Sequence, residues 1–176
     1  MTMRTVLLLA NLFTYSLAAK SAIDLSPDFP VHVDISDYGL YRLLDKKDQD
    51  FSAETTAGYA SVIRTRHVAK TDKVILKKGQ VFGFNYLITD TSTEQEWVPV
   101  TIDIKHPATT NYLGKRSTGF SLPSAAKRKE DGRYHNGAFY IFSENYEMVP
   151  GEWTISVIYR GKYVVSKRFT VESPPR

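Results

Sequence analysis

Between Trp153 and Val171 apolar and polar side chains alternate with hardly a break. Trp153, Ile155, Val157 and Tyr159 fall on one face while Thr154, Ser156 and Arg160 fall on the other, Ile158 being the exception. That is the period-2 pattern of a half-buried strand. Pro150-Gly151 ahead of it suits the central positions of a type II turn, because proline presets the first φ and glycine accepts a positive second one. Gly161 permits a tight reversal, and Tyr163, Val165, Phe169 and Val171 form the returning apolar face, interrupted by Lys167. Pro174-Pro175 ends the pairing, since proline has no donor for a ladder. The pattern predicts a C-terminal β-hairpin of the kind that closes sandwich domains.

Upstream, Val31, Val33 and Ile35 alternate with polar residues into Leu40–Leu44, which predicts a first strand with a bulge at Gly39. Residues 46–56 read as a loop. Residues 61–68 predict an edge strand, because Arg64 and Arg66 share a face with Val62 and Val68. Lys73–Leu76 is a short apolar piece, and Val81–Ile88, apolar on both faces, is expected to be central. Trp97–Ile104 predicts a further strand in which Pro99 argues against a central position at that point. His106-Pro107 opens a region without periodicity that ends near Gly137, followed by a short aromatic strand, Ala138–Phe142. No helical period extends beyond Ser124–Glu130. The expected fold is an all-β, antiparallel β-sandwich of seven to eight strands over residues 31–173, with one long loop and at most one short helix.

The N-terminus follows different rules. Arg4, the apolar run Val6–Phe13 and the small-x-small Ser16-Leu17-Ala18 predict a signal peptide over 1–18, cut near Ala18, with 19–30 as an extended leader. A membrane anchor is disfavoured because the apolar run is too short for about 30 Å of hydrocarbon. A periplasmic or secreted product is therefore expected. With no cysteine in the chain, it depends on its core alone.

Without the first eighteen residues the chain carries 22 basic against 19 acidic residues, a net +3, of which residues 106–136 alone carry +4. Lys115, Arg116, Lys127, Arg128, Lys129 and Arg133 stand there against Glu130 and Asp131, interleaved with Tyr112, Phe120 and Tyr134. A cationic loop on a nearly neutral body attracts acidic partners, or is merely solvated. The cations, with Tyr112 and Tyr134, are the candidate partner-binding residues. Catalytic signatures are missing from the sequence: there is no G-x-S-x-G elbow and no phosphate-cradling glycine loop. The histidines at 32, 67, 106 and 135 lack metal-ligand spacing, so neither a metal nor another cofactor is expected. Glu144, Glu147 and Glu152 cluster near the Pro150-Gly151 turn but read as solvated charges.

DYGLY at 37–41, KKGQVFGFNY at 77–86, His106-Pro107 and PGEW at 150–153 followed by RFTV resemble, in order and spacing, a family of exported bacterial proteins grouped as a domain of unknown function. The resemblance spans nearly the whole chain after the leader. It implies an immunoglobulin-like sandwich and a bacterial envelope setting, and it supplies no catalytic residue. Gly83, between Phe82 and Phe84, marks a place where a backbone or large ring packs close. The expected function is a non-catalytic envelope binding or adaptor module, working through the 106–136 loop or the 61–68 edge on an envelope protein. A carbohydrate-binding module for an anionic envelope polymer is the alternative. Nucleic acid is not an expected partner, and the chain is expected to be a monomer or weak homo-oligomer.

Overall fold

The computed structural model describes residues 30–51, 55, 59–111 and 113–175, at 46–51 and 59–62 by their backbone only. The signal-peptide and leader assignments up to residue 29 lie outside the described residues, as does Tyr112. Nine strands follow one another: β1 (Val31–Phe51), β2 (Tyr59–Ala69), β3 (Lys73–Ile75), β4 (Val81–Asp90), β5 (Trp97–Thr110), β6 (Arg116–Arg128), β7 (Tyr134–Ile141), β8 (Gly151–Tyr159) and β9 (Lys162–Glu172). One turn of 3-10 helix, Asn145–Glu147, precedes β8. Hydrogen bonding links them in the order β2-β1-β4-β7-β6-β5-β8-β9-β3.

The sheet folds over at the junction of β6 and β7, which pair at two residues only, Lys127 with His135 and Arg128 with Tyr134. That short seam is the corner between two layers, β2-β1-β4-β7 and β6-β5-β8-β9-β3. Rings meet across the gap: Phe82 of β4 lies 5.9 Å from Trp153 of β8 and 5.2 Å from Phe169 of β9, edge to face in both cases. Trp153 is fully buried and donates its indole N–H to Val149 O at 3.1 Å. Truncating a buried ring of this size costs about 3–5 kcal/mol. The molecule is an immunoglobulin-like β-sandwich with nine strands among the described residues, slightly more than the sequence suggested. One pairing, β3 with β9, is parallel.

The predicted hairpin is present as β8 and β9, paired antiparallel from Gly151–Val171 to Tyr159–Lys162. Arg160 and Gly161 both have positive φ, 51° and 75°, which gives a two-residue turn whose twist matches the flanking strands. One face is corrected. The register shifts between Val157 and Ile158, so Val164 is the extra residue; Val164 is buried and Tyr163 is 43% exposed. Lys167, which interrupts the apolar face, places its ammonium over the Tyr38 ring at 3.8 Å, so its charge is met by a π face where the layers open.

Pro99 lies where the sequence rule places it. β5 pairs with β6 along most of its length but with β8 only from Thr101 onward, so Pro99 has a single strand neighbour. The first strand is bulged at Ser36, between Ile35 and Asp37, rather than at Gly39, and runs on to Phe51 through residues expected to be loop. The segment 106–136 is corrected as well: β5 continues to Thr110, β6 occupies 116–128 and β7 begins at Tyr134. The inward side of β6 carries only Phe120, Leu122 and Ala126 as apolar residues, separated by serines, and this thin alternation hides a strand.

Candidate functional site

The six cations predicted as one patch are divided by β6. Lys115 and Arg116 stand at its start, Lys127, Arg128, Lys129 and Arg133 at its far end and in the turn to β7. Twelve strand steps separate the groups, about 40 Å. At the far end most charges are already engaged. Lys127 lies 3.3 Å from Glu96 and over the Trp97 ring, and Arg133 lies 2.9 Å from Asp131. Arg128 reaches the carbonyls of Gly132 and Glu94. Asp131 is held down to about 2, first by the backbone N–H of Arg133 and also by His135 and the Arg133 side chain. Tyr134 is fully buried and donates its hydroxyl to Thr93 O at 3.2 Å, so it belongs to the core and not to a binding surface. Lys115 borders a cavity of about 440 Å³ whose wall includes Ser117, Ser121 and the Phe120 ring.

The glutamates near the Pro150-Gly151 turn do not converge. Glu147 is buried and accepts from the Tyr140 hydroxyl at 2.7 Å and from the backbone N–H groups of Ser143 and Glu144 at 2.8 and 2.7 Å. Burial raises its pKa against those bonds. Glu152 pairs with Arg168 at 3.2 Å and Glu144 lies 3.9 Å from Lys78. Among the described residues no three histidines, aspartates or glutamates gather as metal ligands.

The second region singled out by sequence, 61–68, is a candidate with more structure. Among the described residues β2 is the terminal strand of the sheet and pairs only with β1. It is fixed there by residues of the two glycine-bearing motifs. Gly39 of β1 faces Gly83 of β4, and Asn85 donates to Asp37 at 2.9 Å. Asp37 also accepts the Tyr41 hydroxyl, and burial, followed by this bond to a carboxylate, raises the Tyr41 pKa well above the ordinary phenol. The Tyr41 ring is buried edge-on between Phe139 of β7, 4.6 Å away, and His67 of β2, 5.2 Å away. His67 in turn donates through Nε2 to Tyr38 O at 2.9 Å. The Phe139 ring lies over Gly83 and Gly137, where an added Cβ would fall 2.8 and 2.1 Å from it.

Immediately beyond this anchor β1 leaves β4 and continues with β2 as a two-stranded arm, since its β4 pairing ends at Tyr41–Val81. There Arg42 and Arg66 are direct cross-strand partners, and Arg64 is two positions from Arg66 on the same face. All three are exposed. Among the described residues none has a hydrogen-bond or ion-pair partner. Two irregularities, at Leu44 on β1 and at Val68 on β2, turn these apolar side chains outward, 52% and 57% exposed. The edge therefore offers backbone groups with no strand partner among the described residues, two guanidinium groups facing each other, a third, Arg64, whose cross-strand neighbour is Asp45, and two apolar footholds. On this edge the sequence had pointed to Arg64, Arg66 and Val68. It missed Arg42 because only the register reveals its partner.

The fold recurs in an immunoglobulin-like protein from Pseudomonas aeruginosa, whose crystal structure superposes with a TM-score of 0.55 at 22% identity over 81% of this chain and 96% of the other. An alkylpurine DNA glycosylase, AlkC, from Pseudomonas fluorescens matches 81% of this chain and 30% of its own at 9% identity, with a TM-score of 0.38, too low to carry a structural argument. No functionally curated protein is significantly similar to the chain. Residues 30–171 match the model of a domain of unknown function, DUF3859, and the chain belongs to that family.

Proposed function

We propose that the chain is a non-catalytic binding module of the cell envelope that takes an acidic, extended segment of a partner protein along β2. The observation that carries this reading is the direct opposition of Arg42 and Arg66, with no ion pair to either among the described residues. Like charges facing each other across a strand pair are destabilising. Charged side chains do guard sheet edges against aggregation, but that protection does not require two arginines in register. An added strand would satisfy the open backbone groups of β2, and acidic side chains at alternate positions would meet Arg64 and Arg66. Leu44 and Val68 would supply apolar contact at the two ends of the arginine cluster.

The envelope setting is supported by Arg4, the apolar run after it and Ser16-Leu17-Ala18. Mass spectrometry of the exported product is expected to find an N-terminus near Ala19 or Lys20, and an intact Met1 on a cytoplasmic product contradicts it. Binding is tested by fluorescence anisotropy with a labelled peptide of alternating Glu and Val, against the same peptide with Lys for Glu. The acidic peptide binds, weakens steeply between low and physiological salt as screening reaches 8–10 Å, and loses about tenfold or more with Arg66→Glu. Equal binding of both peptides, or a variant that binds like the parent, overturns the reading.

A further inference from the structure

The outward face of β6-β5-β8-β9 is the other surface the core leaves open, and its side chains are arranged by register. Tyr163 starts on β9, yet its hydroxyl donates to Asp103 Oδ2 on β5 at 3.3 Å, with β8 between them. Two strand spacings amount to about 9.6 Å, so the tyrosine has to lie down along the sheet. Small Ser156 of β8, directly opposite Asp103, leaves the room. Asp103 is itself fixed by the Ser121 hydroxyl at 2.6 Å. The ammonium of Lys105 stands over the Tyr163 ring, 6.0 Å from its centroid.

Trp97 repeats the arrangement at the other end of the face. It is 50% exposed, and Lys127 stands 5.0 Å from its ring centroid. Tyr163 is opposite Ile158, and Ile158 opposite Thr101, four residues from Trp97 along β5. The two ring-and-amine units are thus roughly 16 Å apart on one face of the sheet. An aromatic ring matches the C–H face of a sugar, and the neighbouring amine matches an acid group on it. A repeated unit on one sheet face matches a ligand that is itself a repeating chain.

We propose that this face binds an extended polysaccharide bearing acidic sugars, with Trp97 and Tyr163 as stacking platforms and Lys105 as the contact to a sugar carboxylate. A protein partner fits less well, because interface cores are depleted of charge and here each ring carries an ammonium. Single-stranded nucleic acid fits less well because it needs a strongly positive groove. On this face Lys127 is matched by Glu96 at 3.3 Å and Arg168 by Glu152 at 3.2 Å, and Asp103 lies among them. Lys105 alone is left to meet an acid, and no ion pair engages it among the described residues. The site is separate from the β2 edge, and Arg66→Glu is expected to leave it unchanged.

The test titrates the domain with a short oligogalacturonate, with a matching neutral galactan and with an oligothymidylate, following tryptophan fluorescence. Trp153 is buried, so a ligand-dependent change reports Trp97; Trp97→Ala, which lacks that reporter, is titrated by calorimetry beside the parent. Trp97→Ala and Tyr163→Ala, both exposed sites where the thermal midpoint is expected to hold, each weaken oligogalacturonate binding by several-fold to about tenfold, the scale of one aromatic contact. Lys105→Gln removes the preference for the acidic over the neutral sugar. No binding of oligogalacturonate, equal or tighter binding of oligothymidylate, or aromatic variants that bind like the parent overturns the proposal. So does a concentration-dependent dimer, seen by sedimentation, that Trp97→Ala dissociates, because a second copy then covers the face.

Discussion

Gly83 and Gly137 lie under the same ring but are blocked by different atoms, and substituting each with alanine separates two kinds of constraint. At Gly83 the backbone φ is +152°, and an added Cβ would meet Ala138 O at 2.1 Å and Phe139 Cα at 2.8 Å as well as Phe139 Cδ1 at 2.8 Å. The carbonyl and Cα are held by the β4–β7 ladder and cannot retreat. Positive-φ strain of about 1–3 kcal/mol and overpacking of about 1–3 kcal/mol together give roughly 4 kcal/mol for Gly83→Ala. At about 2–4 °C per kcal/mol for a domain of this size, the midpoint falls by about 8–16 °C. At Gly137 the obstacles are Phe139 Cε2 at 2.1 Å, Phe139 Cζ at 2.6 Å and Asn85 Oδ1 at 2.8 Å, all of them side-chain atoms. Gly137→Ala should cost about 1–3 kcal/mol, and Phe139→Ala should relieve much of it. Urea unfolding followed by Trp153 fluorescence gives the two cycles. The Gly137 cycle is expected to show about 1–2 kcal/mol of favourable coupling and the Gly83 cycle to be additive within about 0.5 kcal/mol. Rescue of Gly83→Ala by Phe139→Ala, or no coupling at Gly137, refutes the contact assignment.

Three further outcomes follow from other contacts. His106 stacks on Trp153 with centroids 4.8 Å apart and donates through Nδ1 to Pro107 O at 2.7 Å; burial, opposed by that bond, lowers its pKa. The unfolded chain then binds the proton more readily, so stability is full above about pH 6.5 and falls as pH drops through the folded value; His106→Gln should flatten that acid limb in pH-dependent urea melts. Arg66→Glu places an acid opposite Arg42 and should stabilise the fold by about 0.2–1 kcal/mol while weakening acidic-peptide binding; a loss of stability indicates that the arginine is a structural residue. Replacing Lys127, Arg128 and Lys129 with serine should leave acidic-peptide binding at low salt unchanged, and slowed association returns the role to the β6–β7 end.

The hairpin was legible because its inward residues are large and its turn residues are specific, from Trp153 to Val171. Its one misplaced side chain, Tyr163, marks the limit of period-2 reading, since a single extra residue at Val164 exchanges the faces and no local signal announces it. β6 was hidden for a different reason. It buries one face shallowly with Phe120, Leu122 and Ala126, and its serines, glycine and proline read as loop. Once β6 is extended the cations at its two ends cannot form one patch, so the error in secondary structure became an error about the site. The edge strand at 61–68 was legible from Arg64 and Arg66 on an otherwise apolar face. What makes the edge a candidate, Arg42 facing Arg66, depends on an antiparallel register containing three shifts, which local sequence does not determine.

Backbone amide hydrogen exchange along β2, measured with and without the acidic peptide, tests strand capture most directly. Among the described residues β2 has a strand neighbour on one side only, so the amides not bonded to β1 are expected to exchange quickly in the free protein. On peptide addition the amides on the open side between Arg64 and Val68 are expected to slow, at alternate residues, while those already paired with β1 change little. Protection confined to the Lys129–Arg133 turn or to the β6-β5-β8-β9 face, or no slowing along β2 at a peptide concentration that saturates binding, contradicts edge capture.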